Sequence, residues 1–270
     1  MPGRVLIIAG TDPSGGAGVQ ADIKTVTAMG GFATSAITAL VAQNTMGVER
    51  VLEVPTDFIA QQIRLILEDI GTDAVKIGML GTTNVITAVA DALIGVTAPI
   101  VVDPVMFAKS GDPLQDPSAI ETLRQRIIPR AAVLTPNRRE AEALAGFAVD
   151  APGDQRRAAE ALREMGPSAV LVKGGGNSGS VVTDVLLWEG GIEVFESARL
   201  ATNATHGAGC TLSSAIAAGL AGGLPVRDAV AHALAYTRRA METAPGLGKG
   251  RGPLNHVVDL GQFSVVSHQS

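Results

Sequence analysis

Cys210 is the only cysteine among 270 residues, and it stands in the stretch "ATNATHGAGCTLSSAIAAGL", directly after Gly207-Ala208-Gly209. The run of small residues that follows reads as a helix. The backbone N–H groups of a helix's first turn have no acceptor inside the helix, so a start this uncluttered is an anion site. Such a site suits the charge that spreads over phosphoryl oxygens during transfer. A thiol in that turn has its thiolate favoured by the helix dipole and can take a proton from an attacking hydroxyl. The other reading of Cys210 is a small residue packed at a crowded helix start.

Further residues carry chemistry at the ends of apolar runs. Lys173 closes "SAVLVK", where a charge needs a partner or a polar cleft; a polyphosphate or an acidic neighbour meets that need. Asn137 and Glu140 in "TPNRREAEAL" have the spacing of an N-cap and its N3 partner, and a capping box accounts for them structurally. Asp103 ends "PIVVD" before Pro104, where it holds a cation or fixes a turn. In "GTDPSGGAGVQAD", Gly15, Gly16 and Gly18 let backbone approach a ligand closely, with Asp22 in the first or second turn of the next helix as a grip for ring nitrogens or hydroxyls. The same residues also fit a tight strand-to-helix turn with a solvated aspartate.

Three glycine patterns mislead. A phosphate loop needs Lys followed by Ser or Thr, where this chain has Gly16 and Ala17. Gly16, Gly18 and Ala21 fit a loose dinucleotide pattern, but the next strand, "ITALVAQN", ends without an acidic residue, which disfavours a nicotinamide cofactor. Gly174, Gly176 and Gly179 spell a third match, which precedes a hairpin rather than a helix.

The elements that must position these residues alternate. "RVLIIAG" precedes a helix over 17–29, "TSAITALVAQ" one over 57–70, "DAVKIGM" one over 83–93, "PIVVDP" one over 117–128, and "AAVLTP" one over 137–145. A helix over 154–165 precedes "SAVLVKGG". Repeated strand–helix units predict an α/β fold with a mainly parallel sheet and helices on both faces. "VVTDVLLWEGGIEVFES" breaks the rhythm as a short antiparallel hairpin around Glu189-Gly190-Gly191, and helices over 210–221 and 226–243 follow. Residues 1–270 read as one domain. The polar residues that follow the predicted strands, Gly10, Gln43, Gly78, Asp103, Asn137 and Lys173, then share the carboxyl edge of the sheet, where open parallel sheets bind ligands.

Composition narrows the partners. The chain is 46% apolar and carries a net charge of -5 with 3% aromatic residues. That excludes a general attraction to nucleic acid or to membrane surfaces. One cysteine makes no internal disulfide and points to a reducing compartment. The short apolar run Val5–Ala9 is neither a spanning helix nor a secretory signal, so the expected setting is cytoplasmic.

"AGTDPSGGAGVQADIKT", "ITALVAQNTMGV", "VKIGML", "VVDPVMFAKSGD", "LTPNRREAEAL", "VLVKGG", "THGAGCTLSSAIAA" and "GPLNH" occur in this order. Together they resemble the hydroxymethylpyrimidine/phosphomethylpyrimidine kinases of thiamine biosynthesis over nearly the whole chain. The resemblance implies the ribokinase-like fold and, as cofactors, ATP with Mg²⁺; a monovalent cation stays open. It implies Cys210 as the catalytic base behind an anion hole of Gly207, Ala208 and Gly209, where most of the wider group carry aspartate. It places the aminopyrimidine against Gly10, Asp22, Gln43 and Val105, with Lys109 in the loop after Asp103. It places ATP near Lys173 and Thr205, with Asn137, Glu140 and Asp103 around Mg²⁺, and it implies a homodimer. Two positions depart from the family pattern: Ala208 replaces a threonine, and Gly176 replaces a histidine after Lys-Gly-Gly. A pyridoxal-type kinase of the same fold is the neighbouring alternative. Gln43 speaks for the pyrimidine, because an amide both donates to and accepts from an aminopyrimidine edge. A protein that only binds and senses the pyrimidine is the third reading, against which the Cys210, Lys173, Asn137 and Glu140 set speaks.

Overall fold

The computed structural model describes residues 1–107, 117–174 and 179–258; Lys109 and Gly176 lie outside them. Eight strands form one sheet: β1 (Arg4–Ala9), β2 (Phe32–Ile37), β5 (Ala74–Ile77), β6 (Ile100–Val102), β7 (Val133–Leu134), β8 (Val170–Val172), β9 (Val181–Trp188) and β10 (Gly191–Ala198). Their order is β10-β9-β8-β7-β6-β5-β1-β2. The pairs from β2 to β8 are parallel, and β9 and β10 are antiparallel. The expected parallel sheet and the hairpin are both present.

Successive strand residues point to opposite faces, and both faces are covered. Leu6, Ile8, Val75, Ile77, Val102 and Leu134 pack on one side against helices α2 (Thr56–Asp69), α3 (Thr83–Ala92), α4 (Pro117–Arg126), α5 (Arg138–Ala145) and α6 (Pro152–Arg163). Val5, Ile7, Ala9, Val101, Val133 and Leu171 pack on the other against α1 (Gly18–Ala28), α7 (Ala208–Ala221) and α8 (Val226–Glu242). Double coverage is why the strands read as continuous apolar runs. Helix α7 is buried all round from Thr211 to Gly219, so its sequence carries small residues rather than an amphipathic stripe.

One expectation needs correction. "TSAITALVAQ" is not one strand: β2 stops at Ile37, and β3 (Ala39–Gln43) pairs instead with β4 (Val48–Glu53), unassigned from the sequence, in a separate antiparallel ribbon. The chain turns at Thr38, whose N–H bonds the Ala9 carbonyl while its hydroxyl donates to Met79 O. The Thr11 N–H then holds Ala39 O at 2.9 Å. The ribbon is thereby laid across the carboxyl ends of β1 and β5.

Candidate active site

In the sheet order, β1 has β2 on one side and β5 on the other. Chain connections therefore diverge between β1 and β5, and crevices open at such switch points. A cavity of about 1000 Å³ lies there, large for one small ligand and wide enough for two. Gly10, Gln43, Asp103, Val105, Asn137, Glu140, Lys173, Thr205 and the segment 207–210 all line it. Tertiary structure thus brings these sequence-singled residues to one place; Gly15, Gly16, Asp22 and Gly78 are not on the cavity wall, and Lys109 lies outside the described residues.

The start of α7 is set by backbone geometry. Gly207 caps the helix with φ 80°, and a side chain on it would run into the Gly16 carbonyl, so only glycine is accommodated. Ala208, Gly209 and Cys210 form the first turn, whose N–H groups the helix leaves without internal acceptors. The preceding His206 is fixed by Nε2, 2.8 Å from Asp12 Oδ2. Buried Asp12 also accepts from Ala17 N at 2.7 Å and Ser14 Oγ at 2.9 Å. The glycines after β1 therefore shape a turn that packs against the α7 start. Behind the same turn, Thr211 Oγ1 meets His256 Nε2 at 3.0 Å, and burial pushes His256 down to about 4, leaving it neutral.

Charges gather beneath this turn. Lys173 Nζ lies 2.8 Å from Asp103 Oδ1. The pair presses against α7 so closely that a Cβ on Gly209 would sit 3.2 Å from Lys173 Nζ and 3.3 Å from Asp103 Oδ2. Burial works against the Lys173 charge, but Asp103 and Glu140 more than offset it and raise its pKa. Lys173 thus has its acidic neighbour and still faces the cavity. Asn137 and Glu140 form the expected capping box, with Glu140 N to Asn137 Oδ1 at 3.0 Å and Asn137 N to Glu140 Oε2 at 2.8 Å. Burial pushes the Glu140 carboxyl up to about 7, against the pull of Lys173.

Two expectations about chemistry change. Asp22 is not a solvated or ligand-facing residue: it has 0% exposure, accepts from Lys76 Nζ at 2.7 Å and from Ser214 Oγ at 2.8 Å, and lies behind Lys76. Burial raises its pKa in spite of Lys76. The Cys210 thiol is not lowered by its place in the first turn; burial pushes it up to about 11, with Lys76 acting in the opposite direction. Gln43 stands on β3 with Nε2 3.4 Å from Thr11 O, so its amide reaches the cavity wall beside Gly10.

A model of the family described as phosphomethylpyrimidine kinase matches residues 12–255. The chain belongs to this family. A hydroxymethylpyrimidine/phosphomethylpyrimidine kinase of Streptomyces coelicolor is 45% identical over 262 residues, covering 97% of each chain. The thiamine biosynthesis bifunctional protein ThiED of Geobacter sulfurreducens is 44% identical over 95% of this chain and 52% of its own length. Among solved structures, the ADP complex of Bacillus subtilis pyridoxal kinase superposes with a TM-score of 0.88 at 35% identity, covering 95% of this chain and 98% of that one. Membership accounts for the ribokinase-like sheet and the hairpin at its edge.

Sequence reasoning placed Asp12 at the carboxyl edge after the first strand but passed over Lys76 and His206. Lys76 carried the one available signal, a lysine inside the apolar run "AVKI". His206 carried none, since its pairing with Asp12 spans 194 positions.

Proposed function

We propose that this chain transfers the γ-phosphoryl group of ATP to the hydroxymethyl group of 4-amino-5-hydroxymethyl-2-methylpyrimidine and then phosphorylates the monophosphate to the pyrophosphate, in thiamine diphosphate biosynthesis. The observation that carries this reading is the shared cavity: the first turn of α7 with its thiol, the Lys173–Asp103 pair and the amide of Gln43 all face it. Family membership and the names of the relatives support it.

In the first step the hydroxymethyl oxygen attacks the γ-phosphorus, its proton passes to Sγ of Cys210, and the bond to the bridging oxygen breaks to release ADP. The N–H groups of the α7 first turn receive the equatorial oxygens. Lys173 supplies positive charge there, and Asp103 holds Lys173 in place. In the second step the acceptor is a phosphate oxygen already ionised near neutral pH, so charge neutralisation matters more than a base. The aminopyrimidine rests against Gly10 and Val105 with its edge on Gln43, and Thr205 lies on the nucleotide side.

Mg²⁺ fits as the companion of ATP. Among the described residues no group of three or more His, Cys, Asp or Glu side chains is placed to hold an ion, and the Asp103 carboxylate is engaged by Lys173. Glu140, a buried carboxylate on the cavity wall held by the Asn137 N–H, would stand beside an ion that keeps most of its bonds to phosphates and water. That ion would neutralise charge on the transferring group.

A homodimer belongs to the same reading. Leu40, Val51 and Leu52 on the β3–β4 ribbon are 50%, 43% and 54% exposed, an apolar surface on an open strand edge that another copy would cover. No helix among the described residues is long and apolar enough to cross a membrane, and the unpaired cysteine suits a reducing cytoplasm.

Turnover with ATP and either the pyrimidine alcohol or pyridoxal, followed by phosphorus NMR, tests the proposal. The expected result is sequential monophosphate and pyrophosphate from the pyrimidine. Faster turnover of pyridoxal, or no pyrophosphate, overturns it.

A further inference from the structure

We infer that Lys76 is a positioning residue whose ammonium is the counter-ion of the Cys210 thiolate, and that Asp22 with Ser214 holds Lys76 in that place. The inference deepens the reading of Cys210 as the base and rests on it.

Lys76 stands inside the apolar run of β5 with its side chain at 0% exposure, yet it lines the cavity. An ammonium has three donors, and the bond to Asp22 Oδ2 uses one. A buried ion pair of this kind adds little stability over apolar residues of similar size, so its retention calls for another use. Asp22 supplies the geometry of that use. Its second oxygen accepts from Ser214 Oγ, four residues after Cys210 on the same helix and so on the same face. Helix α7, which carries the thiol, is thereby stapled through Asp22 to the strand that carries the ammonium.

The charges around the thiol point the same way. Asp22 from α1, Lys76 from β5, Asp103 after β6 and Lys173 after β8 face the α7 start, and His206 beside it is already paired with Asp12. Of these, Asp22 and Asp103 oppose a thiolate, and Lys76 is the leading influence in its favour. The effect is mutual, since the Cys210 charge raises the Lys76 pKa. Burial alone would keep the thiol protonated, so a base at this position needs a fixed cation beside it. Lys76 stays protonated throughout; only the sulfur gains and loses the proton.

The single cysteine makes the test clean, because iodoacetamide alkylation of the full chain reads Cys210 alone. The pH midpoint of alkylation is measured for the parent, Lys76→Met, Asp22→Asn and the double variant, which replaces the ion pair by a neutral pair and guards against misfolding. Lys76→Met and the double variant are expected to raise the midpoint by about 1 unit or more and to lower kcat of the hydroxymethyl step with little change in the pyrimidine KM. Asp22→Asn is expected to lower the midpoint, because it removes an anion and spares the cation. A merely structural pair would move all variants in one direction. That outcome, or unchanged midpoints in both Lys76 variants, overturns the inference. Parent-like turnover by Cys210→Ala overturns the base reading instead, and leaves the alkylation midpoints to be judged by themselves.

Discussion

Glu140→Gln keeps the shape of the α5 capping box while removing its titrating group. The amide oxygen still accepts from Asn137 N, as Glu140 Oε2 does at 2.8 Å, so the helix start persists. In the folded protein the carboxyl titrates at about 7 against an ordinary 4.5. The folded state therefore binds this proton more tightly than the unfolded chain does. The resulting stability is present in full below pH 4.5 and is lost as pH rises through 7. At about 1.4 kcal/mol per unit, the loss is on the order of 3 kcal/mol across that window. Urea unfolding of parent and variant at several pH values, followed by fluorescence of Trp188, reads the group, because Lys173, whose pKa Glu140 helps to raise above its ordinary 10.5, stays protonated throughout that range. The parent should lose about 3 kcal/mol relative to Glu140→Gln between pH 5 and 8. Nucleotide binding should show the reverse trend. If Glu140 must be ionised to hold Mg²⁺, Mg·ATP affinity rises with pH through 7 in the parent and is weak and flat in the variant. Parallel stability curves would refute the buried, proton-retaining carboxyl, and parallel binding curves would refute its role toward the metal.

Cys210→Ala should cut the first phosphorylation by about 10²–10⁴-fold and leave the pyrimidine Kd within a few-fold, measured by single-turnover kinetics and equilibrium binding. The second phosphorylation should suffer less, since its acceptor is already ionised; equal losses in both steps would contradict that division. Gln43→Met should weaken the pyrimidine alcohol by about 1–3 kcal/mol and pyridoxal by less, in steady-state kinetics with both alcohols. Equal losses would remove the amide from recognition.

Features governed by neighbours in sequence were legible without coordinates. The alternation of strands and helices, the Asn137–Glu140 box, the hairpin at Glu189-Gly190 and the glycines ahead of Cys210 all follow from local preference and spacing. The motif order was enough to indicate the family, and hence which carboxyl-edge residues gather around the cavity.

Tertiary structure decided the rest, because burial and long-range pairing are properties of no short stretch. "TSAITALVAQ" has the composition of one strand, but the bonds of Thr38 to Ala9 and Met79 end its place in the sheet. Asp22 reads as a polar residue of a helix start, and only the packing of α1 against β5 and α7 seals it against Lys76, 54 positions away. The dipole of a helix start favours a thiolate in any sequence of this pattern. Whether Cys210 becomes one depends on how far burial outweighs a lysine brought from another strand, and that balance exists only in the folded chain.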